Sequence, residues 1–286
     1  MKKIFFAALL AISMSIVPAA ADEADPLDQT VVSSEQVSAE HAEVNVGHID
    51  LGPKVVDGEW KLLARDDNST PAVWRDPNNL VMRVSDAAKM EVPEGQEYEF
   101  LQLDKNREAY VVPQTQIASV IWLGWNTQDP AVVEQLDRGG KLQLRSVSGP
   151  GNVSVFLQNG FDGITQLWNS SELPQDFWVD ANTHTHANWV FTKPGNYRLD
   201  VAFNAKLKDG SEIEVPASLT FAVGDEASGE VDSSQTVAPK NQESITQEQS
   251  EGNPVTLWLI ISACAVVVVA ATAFVAAKAR RAKNAA

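Results

Sequence analysis

The chain has 286 residues, a net charge of −16 and one cysteine, Cys264. So acidic a polypeptide repels phosphate backbones, which excludes nucleic acid as a partner class. Because Cys264 sits in the apolar C-terminal run, the rest has neither a disulfide nor a cysteine nucleophile, and it must rely on a hydrophobic core.

Residues 1–21 read as a secretory signal. Lys2 and Lys3 precede an apolar stretch, and Ala19-Ala20-Ala21 offers a small-residue cleavage site. Residues 22–40 are acidic and polar without a clear period, which predicts a flexible arm. From residue 41 to 225 short runs alternate apolar and polar, as half-buried strands do. Val44 to Ile49, Trp60 to Arg65, Leu80 to Val84, Tyr98 to Leu103 and Ala109 to Val112 are the first of these. Ser119 to Leu123, Lys141 to Val147, Val153 to Leu157, Trp189 to Phe191, Tyr197 to Ala205 and Ile213 to Val223 follow. Turn residues separate them, and Asp209-Gly210 supplies the positive φ angles of a tight hairpin. One short helix is predicted near Asp129 to Leu136. This pattern predicts an all-β fold, an immunoglobulin-like or jelly-roll-type β-sandwich.

Residues 226–253 are rich in Ser, Gln and Glu and poor in large apolar residues, so they are expected to form a disordered stalk. Residues 254–277 carry no charge and are long enough for a transmembrane helix. Lys278, Arg280, Arg281 and Lys283 then mark residues 278–286 as a basic cytoplasmic tail. The expected product is a single-pass protein of the cell membrane with its β-domain outside. Setting aside the two leader lysines and four basic tail residues, the portion between has a net charge of −22.

The chain has four histidines, and two fall in Asn182-Thr183-His184-Thr185-His186-Ala187-Asn188-Trp189. In an extended backbone residues i and i+2 share a face, so His184 and His186 present two imidazoles side by side. Neutral imidazole is a ligand for zinc, but a site needs three or four protein ligands. His48, in an alternating strand, is the candidate third ligand. His41, at the end of the arm, is a further candidate, and Asp180 and Asp50 are candidate carboxylates. Gln114 and Gln116 share a face if extended and can serve as ligands' hydrogen-bond partners. Trp122 and Trp189 lie in apolar runs and are expected in the core. Trp125 and Trp178 lie in polar company and are expected at the surface, with Trp125 as a wall of the site.

No His-Glu-x-x-His, Gly-x-Ser-x-Gly or Walker-type pattern occurs, and no enzyme activity is expected. Seven blocks occur in one order: Gly47-His48-Ile49-Asp50-Leu51-Gly52-Pro53, Trp74-Arg75-Asp76-Pro77, Pro113-Gln114-Thr115-Gln116, Trp122-Leu123-Gly124-Trp125-Asn126-Thr127, Gly149-Pro150-Gly151, His184-Thr185-His186-Ala187-Asn188-Trp189 and Phe221-Ala222-Val223-Gly224-Asp225. The span they cover resembles the actinobacterial surface-anchored protein domain of choice-of-anchor M proteins. That resemblance implies cell-surface attachment and a part in zinc or, less strongly, manganese acquisition with a metal ABC transporter or its substrate-binding protein. It maps the family's Gly-His block onto His48 and its His-x-His block onto His184 and His186. The alternative expectation is an adhesion or carbohydrate-binding module that uses exposed Trp and no metal.

Overall fold

The computed structural model describes residues 29–160, 163–230 and 236–237. The expected signal, transmembrane helix and basic tail, and most of the expected stalk, lie outside the described residues. Among the described residues no helix is long and apolar enough to cross a membrane.

The described chain is mostly strand, arranged in three sheets, which is consistent with an all-β sandwich. The first sheet has six strands: β1 (Val37–Ser38), β5 (Val73–Arg75), β4 (Glu59–Asp66), β3 (Gly47–Val56), β9 (Ile121–Asn126) and β14 (His184–His186), in that spatial order. The second has seven: β13 (Gln175–Asp180), β10 (Leu136–Ser148), β16 (Gly195–Leu207), β17 (Glu212–Val223), β6 (Leu80–Val84) and β2 (Ala42–Val44), with β18 (Thr236–Val237) added to β10. The third runs β12 (Ile164–Asn169), β11 (Val153–Gln158), β15 (Asn188–Phe191), β8 (Glu108–Val112) and β7 (Lys89–Glu91).

Alternation explains how the three sheets enclose one core. Ile49, Leu51, Ile121, Leu123 and Trp125 face it from the first sheet. Leu80, Met82, Val84, Leu199, Val201, Phe203, Leu219 and Phe221 face it from the second. Val112, Val153, Val155, Trp189 and Phe191 come from the third. The Asp209-Gly210 turn closes the β16–β17 hairpin, and Gly210 takes a φ of 90°. Helix α1 (Pro130–Gln135) begins where Asp129 accepts hydrogen bonds from the Ala131 and Val132 amides. This cap follows from the Asp-Pro pair that opens the helix.

Three expectations need correction. Tyr98 to Leu103 is not a strand, because Gln96–Leu101 is a 3₁₀ helix. Tyr98 and Leu101, three apart, share a face of that helix and pack on Val92, Phe156 and Val190 over the outer side of the third sheet. The arm is not free over residues 29–40. Val31 and Glu35 are buried, β1 pairs in parallel with β5, and Val31 joins Leu63 and Trp74 in a small cluster. Residues 226–230 are not a disordered segment: the Asn196 side chain accepts from the Gly229 amide, and farther on Thr236–Val237 pairs with Ser148 and Val147.

Candidate metal centre

The outer face of the first sheet carries the site, on the side opposite the core. Strand period fixes the cast. On β3, His48 and Asp50 point outward while Ile49 and Leu51 point to the core. In the β3–β9 register His48 pairs with Trp122 and Asp50 with Gly124. In the β9–β14 register Gly124 pairs with His186, and Asn126 with His184. Asp50, Gly124 and His186 therefore form one row across three strands.

Gly124 is what lets this row close. A Cβ there would sit 2.4 Å from the Thr185 carbonyl oxygen, 2.8 Å from Asp50 Oδ1 and 3.0 Å from His186 Cε1. With no side chain between them, the imidazoles and the carboxylate meet above the glycine.

Three Nε2 atoms converge. His48 lies 3.1 Å from His184 and 2.8 Å from His186, and His184 and His186 are 3.0 Å apart. Asp50 Oδ1 is 3.1 Å from His184 Nε2, 3.3 Å from His48 Nε2 and 3.6 Å from His186 Nε2. His48, Asp50, His184 and His186 thus form a group able to hold a metal ion. A proton on one nitrogen can be directed at only one partner at a time, whereas this triangle brings three ring nitrogens toward a common centre. A tetrahedral zinc with bonds of about 2.0–2.1 Å needs ligand atoms about 3.3–3.4 Å apart. The observed separations of 2.8 to 3.6 Å bracket that figure.

The surroundings orient these four side chains. His48 Nδ1 lies 2.8 Å from Asp67 Oδ2, a pairing that directs its Nε2 to the centre. Asp67 also accepts from Arg65 Nη1 at 3.2 Å. Arg65 makes a two-pronged pair with Glu35, at 2.9 and 2.8 Å, and Glu35 accepts from Trp74 Nε1 at 2.8 Å. Gln29 accepts from Arg65 and donates to Asp50 Oδ2 at 2.7 Å, lying over His184. Trp122 stacks on His186 with ring centroids 3.7 Å apart. His186 Nδ1 is buried beside the Leu123 backbone and makes no hydrogen bond of good geometry.

Electrostatics divide the four groups. Burial alone would raise the Asp50 pKa, but hydrogen bonds from His184 and His48 hold it far below the usual carboxylate range. Burial opposes charge on His48 too, yet its bonds to Asp50 and Asp67 outweigh that and push it up to about 9. For His186 burial dominates and pushes it down to about 3. Glu35 stays below its ordinary value, because Arg65 and Trp74 offset its burial.

No family model, curated protein or solved structure matches the chain.

Of the residues singled out from the sequence, His48, His184 and His186 come together. His41 does not: its side chain is 66% exposed and faces Glu43, next to β2 in the second sheet. Asp180 is on β13, accepting from Trp178 Nε1 at 2.7 Å, so Asp50 is the carboxylate at the site. Gln116 is exposed. Gln114 is no ligand; its carbonyl accepts from Trp122 Nε1, and so it steadies the ring that covers His186. Trp125 is buried in the core against Phe177, not at the site or the surface. Trp122 and Trp125 are three apart, so a strand sends them to opposite faces, and Trp122 is the wall. Asp67, Arg65, Glu35 and Gln29 escaped sequence reasoning. No spacing in the sequence marks these four; the i, i+2 spacing of His48 and Asp50, which mirrors His184 and His186, is a signal for Asp50 alone.

Proposed function

We propose that the protein is a membrane-anchored extracellular module that holds one divalent ion, zinc in preference to manganese, and supports its acquisition with an ABC transporter. The observation that carries this reading is the convergence of three Nε2 atoms and the Asp50 carboxylate in a buried site. Three imidazoles and one carboxylate are a borderline donor set, which suits zinc better than the all-oxygen sets of magnesium or calcium. The basic tail after an apolar segment supports the anchoring, and the resemblance to surface-anchored domains supports the transporter partnership.

When bound, the ion would supply charge that neutralises Asp50 and takes the place of the His48 proton. His48, His184, His186 and Asp50 would hold it, while Asp67 and Gln29 orient the first and last of these. Burial of all four groups fits retention of an ion rather than turnover of a substrate, because a catalytic site keeps an open position.

Elemental analysis of the full chain, purified without a His tag, tests this directly. About one zinc per chain is expected. A protein that carries no metal and gives no heat on zinc addition in a calorimeter would sink the reading.

A further inference from the structure

Away from the metal centre, the outer face of the second sheet carries a groove of about 500 Å³. Its floor is a row in register across four strands. Trp178 on β13 pairs with Lys141 on β10, Lys141 with Asn204 on β16, and Asn204 with Glu214 on β17. Neighbouring strands lie about 4.8 Å apart, so the row offers one side chain per step over a length comparable with a short run of hexose rings.

Trp178 sits at one end, and it alone of the tryptophans belongs to the exposed large hydrophobics among the described residues, at 50%. Its orientation is fixed twice over. Its Nε1 donates to Asp180 Oδ1 at 2.7 Å. Its back lies on Gly139, where a Cβ would come within 2.9 Å of Cζ2. One face of the indole therefore rests on bare backbone, and the guanidinium of the exposed Arg138 lies over the ring, 6.0 Å from its centroid, where a ligand would displace it.

The groove's charge is balanced within a strongly acidic chain. Asp137, Glu212 and Glu214 are matched by Arg138, Lys141 and Lys206. A groove without net charge, with one flat aromatic and a line of polar side chains, does not select for an ion. It suits a neutral polyol whose C–H face stacks on the ring while its hydroxyls bond to Asn, Lys and carboxylate groups. We propose that this face is a glycan-binding platform, centred on Trp178, that takes a neutral polysaccharide chain. It does not depend on the metal centre, which lies on another sheet.

The test is titration of the full-length chain with cellotetraose and chitotetraose as neutral probes and an oligogalacturonate as the acidic one. Binding is read by calorimetry and by Trp fluorescence. Saturable binding of at least one neutral probe is expected. It is weakened tenfold or more by Trp178→Ala, partly kept by Trp178→Phe and unchanged by a chelator. Trp178 lies at the surface, and circular dichroism verifies that both variants fold. The proposal is overturned if neither neutral probe binds, if Trp178→Ala binds as well as the parent, or if the acidic probe is preferred.

Discussion

At the residue scale the site is a contest for one proton. In the metal-free protein Asp50 is charged, His186 is neutral and His48 holds a proton between Asp50 and Asp67. An incoming cation must expel that proton. Zinc affinity should therefore rise about tenfold per pH unit between roughly pH 7 and 9, then level off as His48 deprotonates by itself. Calorimetry in buffers of different ionisation enthalpy would show about one proton released per ion at pH 7; a pH-independent affinity over that range would refute the account. Without metal, the raised His48 pKa stabilises the fold fully below about pH 6.5, an effect lost as pH rises through about 9. Asp67 reaches the ion only through His48, so Asp67→Asn should weaken zinc binding by about 10–100-fold while leaving the stoichiometry at one. Gly124→Ala places a methyl against the Thr185 carbonyl and Asp50, and should cost about 1–3 kcal/mol in urea unfolding as well as disturb binding.

At the scale of elements the N-terminal segment is the part that departs most from expectation. A polar, acidic stretch reads as an arm because it lacks an apolar period. Its ordering comes from one buried ion pair and one short parallel strand. Glu35 meets Arg65 with both oxygens, and β1 extends the first sheet beside β5. Through Arg65 and Asp67, Glu35 is tied to His48, and through Gln29 the same segment lies over Asp50. Glu35→Ala would leave a buried guanidinium without its main partner. Urea unfolding should register a loss of about 3–5 kcal/mol, far above the cost of removing an exposed acid such as Glu40. An equal effect at both positions would mean that the segment is not held as described.

For the whole molecule, a domain without disulfides gains a cross-link from any ion it holds between β3 and β14, residues far apart in sequence. An ion present at about a thousandfold over its dissociation constant adds roughly 4 kcal/mol. For a domain of about 200 residues that corresponds to a melting temperature about 8–16 °C higher. Scanning calorimetry of the zinc-loaded chain, before and after a chelator, should show a fall of that size. The same fall is expected to vanish in His184→Ala, whose melting temperature should no longer respond to zinc.

Much of this was legible in the chain itself. Alternation marked most strands, Asp209-Gly210 marked the hairpin, the stretch near Asp129 to Leu136 marked the helix, and His184-Thr185-His186 marked two imidazoles sharing a face. These are local properties, set by backbone period and turn chemistry within a few residues. Tertiary structure alone decided which face each strand buries and which strands are neighbours. Trp122-Leu123-Gly124-Trp125 is apolar in both phases, so only its pairing with β3 and β14 sends Trp125 to the core and Trp122 to His186. Asp50 and Asp180 are both acids in strands, and only the sheet order puts Asp50 beside the imidazoles. Period is written along a strand, but phase and neighbour are settled by contacts across more than a hundred residues.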